Sequence, residues 1–277
     1  LAELAATRKG DLIALLRKDR SEITITATAA DAVAKTIRLS SEPSGAAFTR
    51  DGRELWVALP KENQIAVFEM RAFRQTALLE VPSGPASIAM SVDGHRAFAS
   101  MTYAQEIRTF DVKRKTEIAR VASTYPGAGR LAVTPNGKAL WAYHPNGEID
   151  VIATKPPFKA RPSARLEGAI GSLTFVHVGL DSFAYASSPV SSSVSVFDAD
   201  SFRKVASVRL EAEASGIWTS GDGTAVYAAL PTANKVVQID TASNRVVGTV
   251  KVPGTPNALI YVPGAVHQRR AVAKGLP

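Results

Sequence analysis

Apolar residues in this chain come in bursts of four to seven, either alternating with polar residues or running without a break, and Asp-Gly, Asn-Gly or Pro-Gly pairs separate the bursts. A period of two with β-branched and aromatic side chains at the apolar positions predicts strands, and a glycine after Asp or Asn predicts a tight turn between them. Residues 84–90, 96–100, 106–111 and 115–121 read as four such strands in succession. Each is too short to bury both faces alone.

The same phrase then recurs along the chain. Residues 49–58, 91–100, 134–143 and 220–229 each begin with Ser or Thr, reach Asp-Gly or Asn-Gly, and continue into an apolar strand. Their glycines, Gly52, Gly94, Gly137 and Gly223, are 42, 43 and 86 residues apart, the last being two periods, and a degenerate copy at 179–187 fills the gap. A second phrase is anchored on Ile65, Ile107, Ile149, Val194 and Val236, spaced 42, 42, 45 and 42. The insertion of three falls at 155–162, where Pro156, Pro157 and Pro162 remove ladder donors and predict a loop or edge excursion.

A fixed period near 43 residues holding four antiparallel strands is the signature of a β-propeller blade. The expected architecture is all-β, one domain over residues 1–277, with repeats at 8–43, 44–83, 84–126, 127–167, 168–213 and 214–253. The first repeat supplies strands two to four at 11–16, 22–26 and 34–39; Ile23 lies 42 residues before Ile65. Residues 254–263 read as a lone innermost strand that completes the first blade and closes the ring, leaving 264–277 as a tail. Six blades are favoured. Seven are possible if 4–10 form their own innermost strand and turn and 264–274 begin another strand pair.

Those phrases resemble the YVTN-repeat β-propellers over about 250 residues. The tokens are the Asp-Gly or Pro-Asn-Gly turn, the strands Leu-Trp-Val-Ala at 55–58 and Val-Tyr-Ala-Ala at 226–229, and the run from Asn234 through Asp240 to Val252, although no copy carries Tyr-Val-Thr-Asn itself. Neither Trp-Asp nor Gly-Gly occurs, which disfavours WD40 and kelch repeats. The resemblance implies an exported, periplasmic or secreted, disc-shaped binding module. Its relatives include sugar-lactone hydrolases, cofactor-biogenesis proteins and a periplasmic single-stranded DNA-binding protein, so it implies no particular reaction.

Composition narrows the chemistry. The 277 residues are 45% hydrophobic and 21% charged, ordinary for a globular chain, and contain no cysteine, which removes thiol nucleophiles, disulfides and Cys-ligated metals. No apolar run reaches the ~20 residues of a membrane span. The start at Leu1 rather than Met leads us to expect residues upstream, in a signal peptide or otherwise. A net charge of +8 and a pI near 9.8 favour anionic partners. The excess is spread over 113–115, 155–165 and the tail, whereas a nucleic-acid binder concentrates it in one stripe with aromatics.

With the Asp-Gly turns on one face of the ring, called the bottom, the loops between strands two and three and those entering each innermost strand form the top. His95, His144, His177 and His267 fall on a bottom turn, a top loop, the bottom end of an innermost strand and the tail, so they do not converge on one metal. The innermost segments, read as 44–49, 84–91, 127–134, 168–176, 215–220 and 254–262, contain no Asp or Glu, which leaves a lactonase-like site without carboxylates for a hard cation. No Gly-x-Ser-x-Gly elbow appears. The top loops do carry cations and aromatics: Arg17, Lys61, Tyr103, Tyr125, Arg130, His144 and Lys235. Tyr103, Tyr125, Arg130 and His144 come from consecutive repeats and together suit a planar anion through stacking and bidentate hydrogen bonds. The expectation is a monomeric adaptor or binding module for a protein or an anionic small molecule, without a cofactor or metal. A lactonase-like hydrolase and a single-stranded nucleic-acid binder are the alternatives.

Overall fold

The computed structural model describes residues 3–127 and 129–261. Six four-stranded antiparallel sheets follow one another, each with its strands in chain order, and the protein is a six-bladed β-propeller. Blade 1 is β1 (Glu3–Ala6), β2 (Leu12–Arg17), β3 (Glu22–Ala27) and β4 (Ala32–Arg38); blade 2 is β5 (Gly45–Phe48), β6 (Glu54–Leu59), β7 (Gln64–Glu69) and β8 (Arg74–Glu80). Blade 3 is β9 (Pro85–Met90), β10 (Arg96–Met101), β11 (Glu106–Asp111) and β12 (Thr116–Ala122); blade 4 is β13 (Arg130–Val133), β14 (Ala139–Tyr143), β15 (Glu148–Ala153) and β16 (Ala164–Arg165). Blade 5 is β17 (Ser172–Val178), β18 (Asp181–Ser187), β19 (Ser193–Asp198) and β20 (Lys204–Arg209); blade 6 is β21 (Gly216–Thr219), β22 (Ala225–Leu230), β23 (Lys235–Asp240) and β24 (Arg245–Lys251). The proline-rich insertion does interrupt an edge: β16 has two residues, and an isolated bridge from Ile152 to Ala160 replaces the longer outer strand of the other blades.

The core lies between blades. Successive side chains of a strand point to opposite faces, so each second strand feeds two neighbours at once. In β14, Leu140 and Ala142 pack with Phe98 and Ile107 of blade 3, while Trp141 and Tyr143 pack with Leu173 and Phe175 of blade 5. Trp56 likewise faces Ala97, Ala99 and Phe110 of blade 3. This is why the second and third strands read as continuous apolar runs rather than strict alternation.

The repeated turn has one physical construction. In Ser91–Gly94 the Ser91 hydroxyl donates to Asp93 at 2.6 Å and accepts from the Arg96 amide at 3.0 Å, while the His95 amide donates to Asp93 at 3.0 Å and the Gly94 amide to the Ser91 carbonyl at 2.9 Å. Gly94 has φ +77°, a conformation that a β-carbon penalises. Thr49–Gly52, Thr134–Gly137 and Ser220–Gly223 repeat the arrangement.

The first blade corrects one expectation. Its innermost strand is β1, which pairs with β2 from Glu3 opposite Leu16 to Ala6 opposite Ile13, and not the C-terminal segment. Thr7 and Gly10 build the same turn, with the Gly10 amide donating to the Thr7 carbonyl at 2.9 Å. The copy was hidden because Asp11 follows the glycine instead of preceding it. Residues 252–261 form no strand; they flank blade 6, where the Ser215 hydroxyl donates to the Pro256 carbonyl at 3.2 Å and Tyr261 stacks on Tyr227 at 5.9 Å. Residues 262–277, including His267, lie outside the described residues.

The turn carboxylates link this construction to pH. Against a desolvation cost, the Ser91 hydroxyl, the His95 amide and the Arg96 guanidinium hold the Asp93 carboxyl down to about 2. A carboxylate held below its unfolded value stabilises the fold fully above that value and loses the contribution as pH falls toward 2. Asp93→Ala is therefore expected to cost about 1–2 kcal/mol at pH 7 and little at pH 2, as measured by urea unfolding at both pH values. An equal cost at both would refute the coupling.

Candidate functional site

Blade 4 carries the densest polar construction on the top face. Its inner strand begins at Arg130, directly opposite Tyr143, and residues 123–127 form a loop that follows the last strand of blade 3. That loop is pinned from below by Asp150, a buried carboxylate in β15 that accepts from the Ser123 hydroxyl, the Thr124 amide at 3.1 Å and the Ser163 hydroxyl at 3.1 Å. Tyr125, the next residue, sets its ring edge-on to His144 at 5.5 Å.

His144 is buried, 6% exposed, and its Nε2 has no hydrogen-bond partner. Burial pushes the imidazole below its ordinary pKa, opposed by the nearby charges of Asp150 and Glu148. The ring sits against Gly129, where a β-carbon would lie 2.9 Å from Nε2 and 3.2 Å from the Ala142 backbone carbon. Only a residue without a side chain lets the loop pass this close.

Strand alternation separates the expected patch into two. His144 continues the row of Leu140 and Ala142 and faces blade 3, whereas Tyr143 and Arg130 face blade 5. Arg130 is exposed, reaches the Gly171 carbonyl at 3.5 Å and lies close enough to Tyr143 to act on its hydroxyl. Burial raises the Tyr143 pKa, and Arg130 and the Leu173 backbone work against it; Glu3 adds a further upward push. Glu3 is thus a carboxylate on the innermost strand of blade 1 whose charge reaches Tyr143 of blade 4, which corrects the expectation that these strands carry no acid. It was missed because the inner strand of blade 1 had been assigned to the other end of the chain.

The remaining cations are neutralised. Arg17 lies 3.5 Å from Asp19 and 3.7 Å from Glu22, Lys61 lies 3.1 Å from Glu42, and Lys235 lies 2.7 Å from Glu211. Among the described residues no carboxylate lies within ion-pair distance of Arg130. Tyr103 is 74% exposed and lies across Gly84, apart from the Tyr125–His144 pair. The structure therefore joins Tyr125 to His144, sets Arg130 beside Tyr143, and leaves Arg17, Lys61, Tyr103 and Lys235 on other blades. Asp150 escaped sequence reasoning; its only signal is a charge flanked by the apolar residues Ile149 and Val151 within β15. Among the described residues no group of three or more His, Asp or Glu side chains is placed to hold a metal ion. No helix there is long and apolar enough to cross a membrane.

The class of protein is set by the six blades: a β-propeller. Its fold is shared by the Kuenenia stuttgartiensis hydrazine synthase, at TM-score 0.77 and 15% identity over 92% of this chain and 87% of that one. It is shared also by the dihydro-heme d1 dehydrogenase NirN in complex with DHE, at TM-score 0.72 and 12% identity over 90% of this chain and 56% of that one. No family model and no curated protein matches the chain. At these identities the likeness concerns the fold alone.

Two outcomes test the geometry. Gly129→Ala is expected to destabilise by about 1–3 kcal/mol through overpacking, and His144→Ala in the same chain should recover part of the loss; strict additivity in the double variant would break the proposed contact. The imidazole with its depressed pKa makes no difference above about pH 6.5, where folded and unfolded chains are both neutral. Below that value the unfolded chain takes a proton that the folded one resists, so stability falls. Unfolding free energies between pH 7 and 5 should decline less steeply in His144→Gln than in the parent.

Proposed function

We propose that this protein is a binding module of the propeller class, using the top face around blade 4 to hold an anionic small molecule or an acidic segment of a partner. The observation that carries this is the contrast among its top-face cations. Arg17, Lys61 and Lys235 are spent on neighbouring carboxylates, while Arg130 is exposed at the mouth of the ring and enters none of the ion pairs found among the described residues. A guanidinium that spends one donor on a backbone carbonyl keeps the others for a carboxylate or phosphate. Tyr125 supplies a neighbouring aromatic face, and Asp150 fixes the loop that carries it, so little ordering accompanies binding.

The repeat phrases support a YVTN-type relationship within the propeller class, and with it an exported location. The structure of NirN in complex with DHE offers a precedent for a protein with this fold in complex with a ligand.

Calorimetric titration with citrate, adenosine triphosphate and a poly-glutamate peptide tests the proposal. Arg130→Ala with Tyr125→Ala is expected to weaken the responsive probe at least tenfold, about 1.4 kcal/mol, and Lys61→Ala to leave it unchanged. Absence of binding by all three, or equal binding by parent and double variant, would reject it.

A further inference from the structure

A second site lies on the bottom face between blades 4 and 5, and the internal repeat explains it. Trp56 and Trp141 hold the same position in β6 and β14, four residues after Gly52 and Gly137. In blade 2 the indole N–H of Trp56 donates to the Glu54 carboxylate at 3.2 Å. Lys115, from the outer turn of blade 3, bonds the same carboxylate at 2.7 Å and stands 5.4 Å over the indole ring. The repeat thus builds an indole donor, a carboxylate and a cation in one row.

Blade 4 keeps the indole and lacks the carboxylate. Ala139 stands where blade 2 has Glu54, and Phe202 where blade 3 has Lys115, with its ring 5.2 Å from that of Trp141. Trp141 is 0% exposed and its Nε1 has no hydrogen-bond partner. A buried donor left in this state is destabilising, because its lost hydration is not replaced. Trp141 lines a cavity of about 20 Å³ whose walls also include Asn136, Lys138, Arg161, Asp200 and Phe202. That volume admits one water-sized group.

Neither Lys138 nor Arg161 has an ion-pair partner among the described residues, and the Asn136 side-chain oxygen already accepts from Thr134 and from the Lys138 amide, which leaves its NH2 as a donor. Asp200 is the one acid in the lining. Against that single acid, two cations, an amide and an indole N–H leave an excess of donors and of positive charge around one small space, which suits a further acceptor of negative charge. We infer that this cavity is a binding site for a small monovalent anion, a halide or a single carboxylate, which takes the place that Glu54 fills in blade 2. The site is independent of the top face.

Three tryptophans give three indole N–H resonances, and that of Trp141 is assigned by triple resonance or with Trp141→Phe. Sodium chloride and sodium acetate are titrated at constant ionic strength against sodium sulfate, whose anion is too large for the cavity. The expected result is a saturating shift of the Trp141 signal with chloride, acetate or both, while Trp56 stays fixed. Lys138→Ala with Arg161→Ala, both exposed, should weaken the response at least tenfold, and Ala139→Glu should abolish it by restoring the internal carboxylate. A response confined to chloride marks a halide site, and one confined to acetate marks a carboxylate site. A linear or absent shift with both salts, or a saturating one unaltered in the Lys138/Arg161 double variant, would overturn the inference and leave a cavity for water only.

Discussion

The faces of a four-stranded sheet only six residues wide must be covered by another sheet, and everything else in this protein follows from how that covering is done. In blades 2, 4 and 5 the large side chain in the middle of the second strand points at the following blade and meets a residue in the left-handed conformation from its outer turn. Trp56 meets Lys115 at φ +59°, Trp141 meets Phe202 at φ +59°, and Tyr185 donates to Asn244, at φ +52°, across 2.6 Å. Removing such a buried aromatic typically costs about 3–5 kcal/mol. The contact is therefore a principal link between adjacent blades, and it persists while the chemistry of its partner varies from cation to aromatic ring to amide.

That variation is where individuality enters a repeated scaffold. The bottom turns are held by the same hydroxyl, carboxylate or amide, and glycine in blade after blade, because the backbone dictates them. Positions facing a neighbour need only be filled and satisfied. Blade 2 satisfies its indole with Glu54, blade 4 does not, and on the top of blade 4 a buried imidazole is likewise left without a partner for Nε2. Two unsatisfied polar atoms in one blade, on opposite faces of the ring, set blade 4 apart from its neighbours. Its shortened outer strand, with only Ala164 and Arg165 paired, belongs to the same departure.

The blades were legible in the sequence because each turn needs a glycine at one position and a hydroxyl three residues earlier, and both survive as letters. The copy at Thr7–Gly10 kept those two letters but moved the aspartate, so the first inner strand was misplaced and Glu3 with it. The candidate site was less legible. Tyr125 and His144 were both named and do meet, but Asp150, which holds their loop, carries no positional signature, since its role depends on a loop contributed by the preceding blade.

Period, strand order, face of the turns and inventory of top-loop cations are properties of the chain alone, because they arise from contacts a few residues apart or from a spacing that can be counted. Which inner strand completes blade 1, which cations are already neutralised and which polar atoms are left alone were decided only in three dimensions. Ion pairs such as Lys61 with Glu42 and Lys235 with Glu211 join separate loops. The alternation of β14 sends Tyr143 and His144, adjacent in sequence, to opposite blades. Such pairings depend on the angle at which rigid sheets meet, and no local pattern in the sequence encodes it.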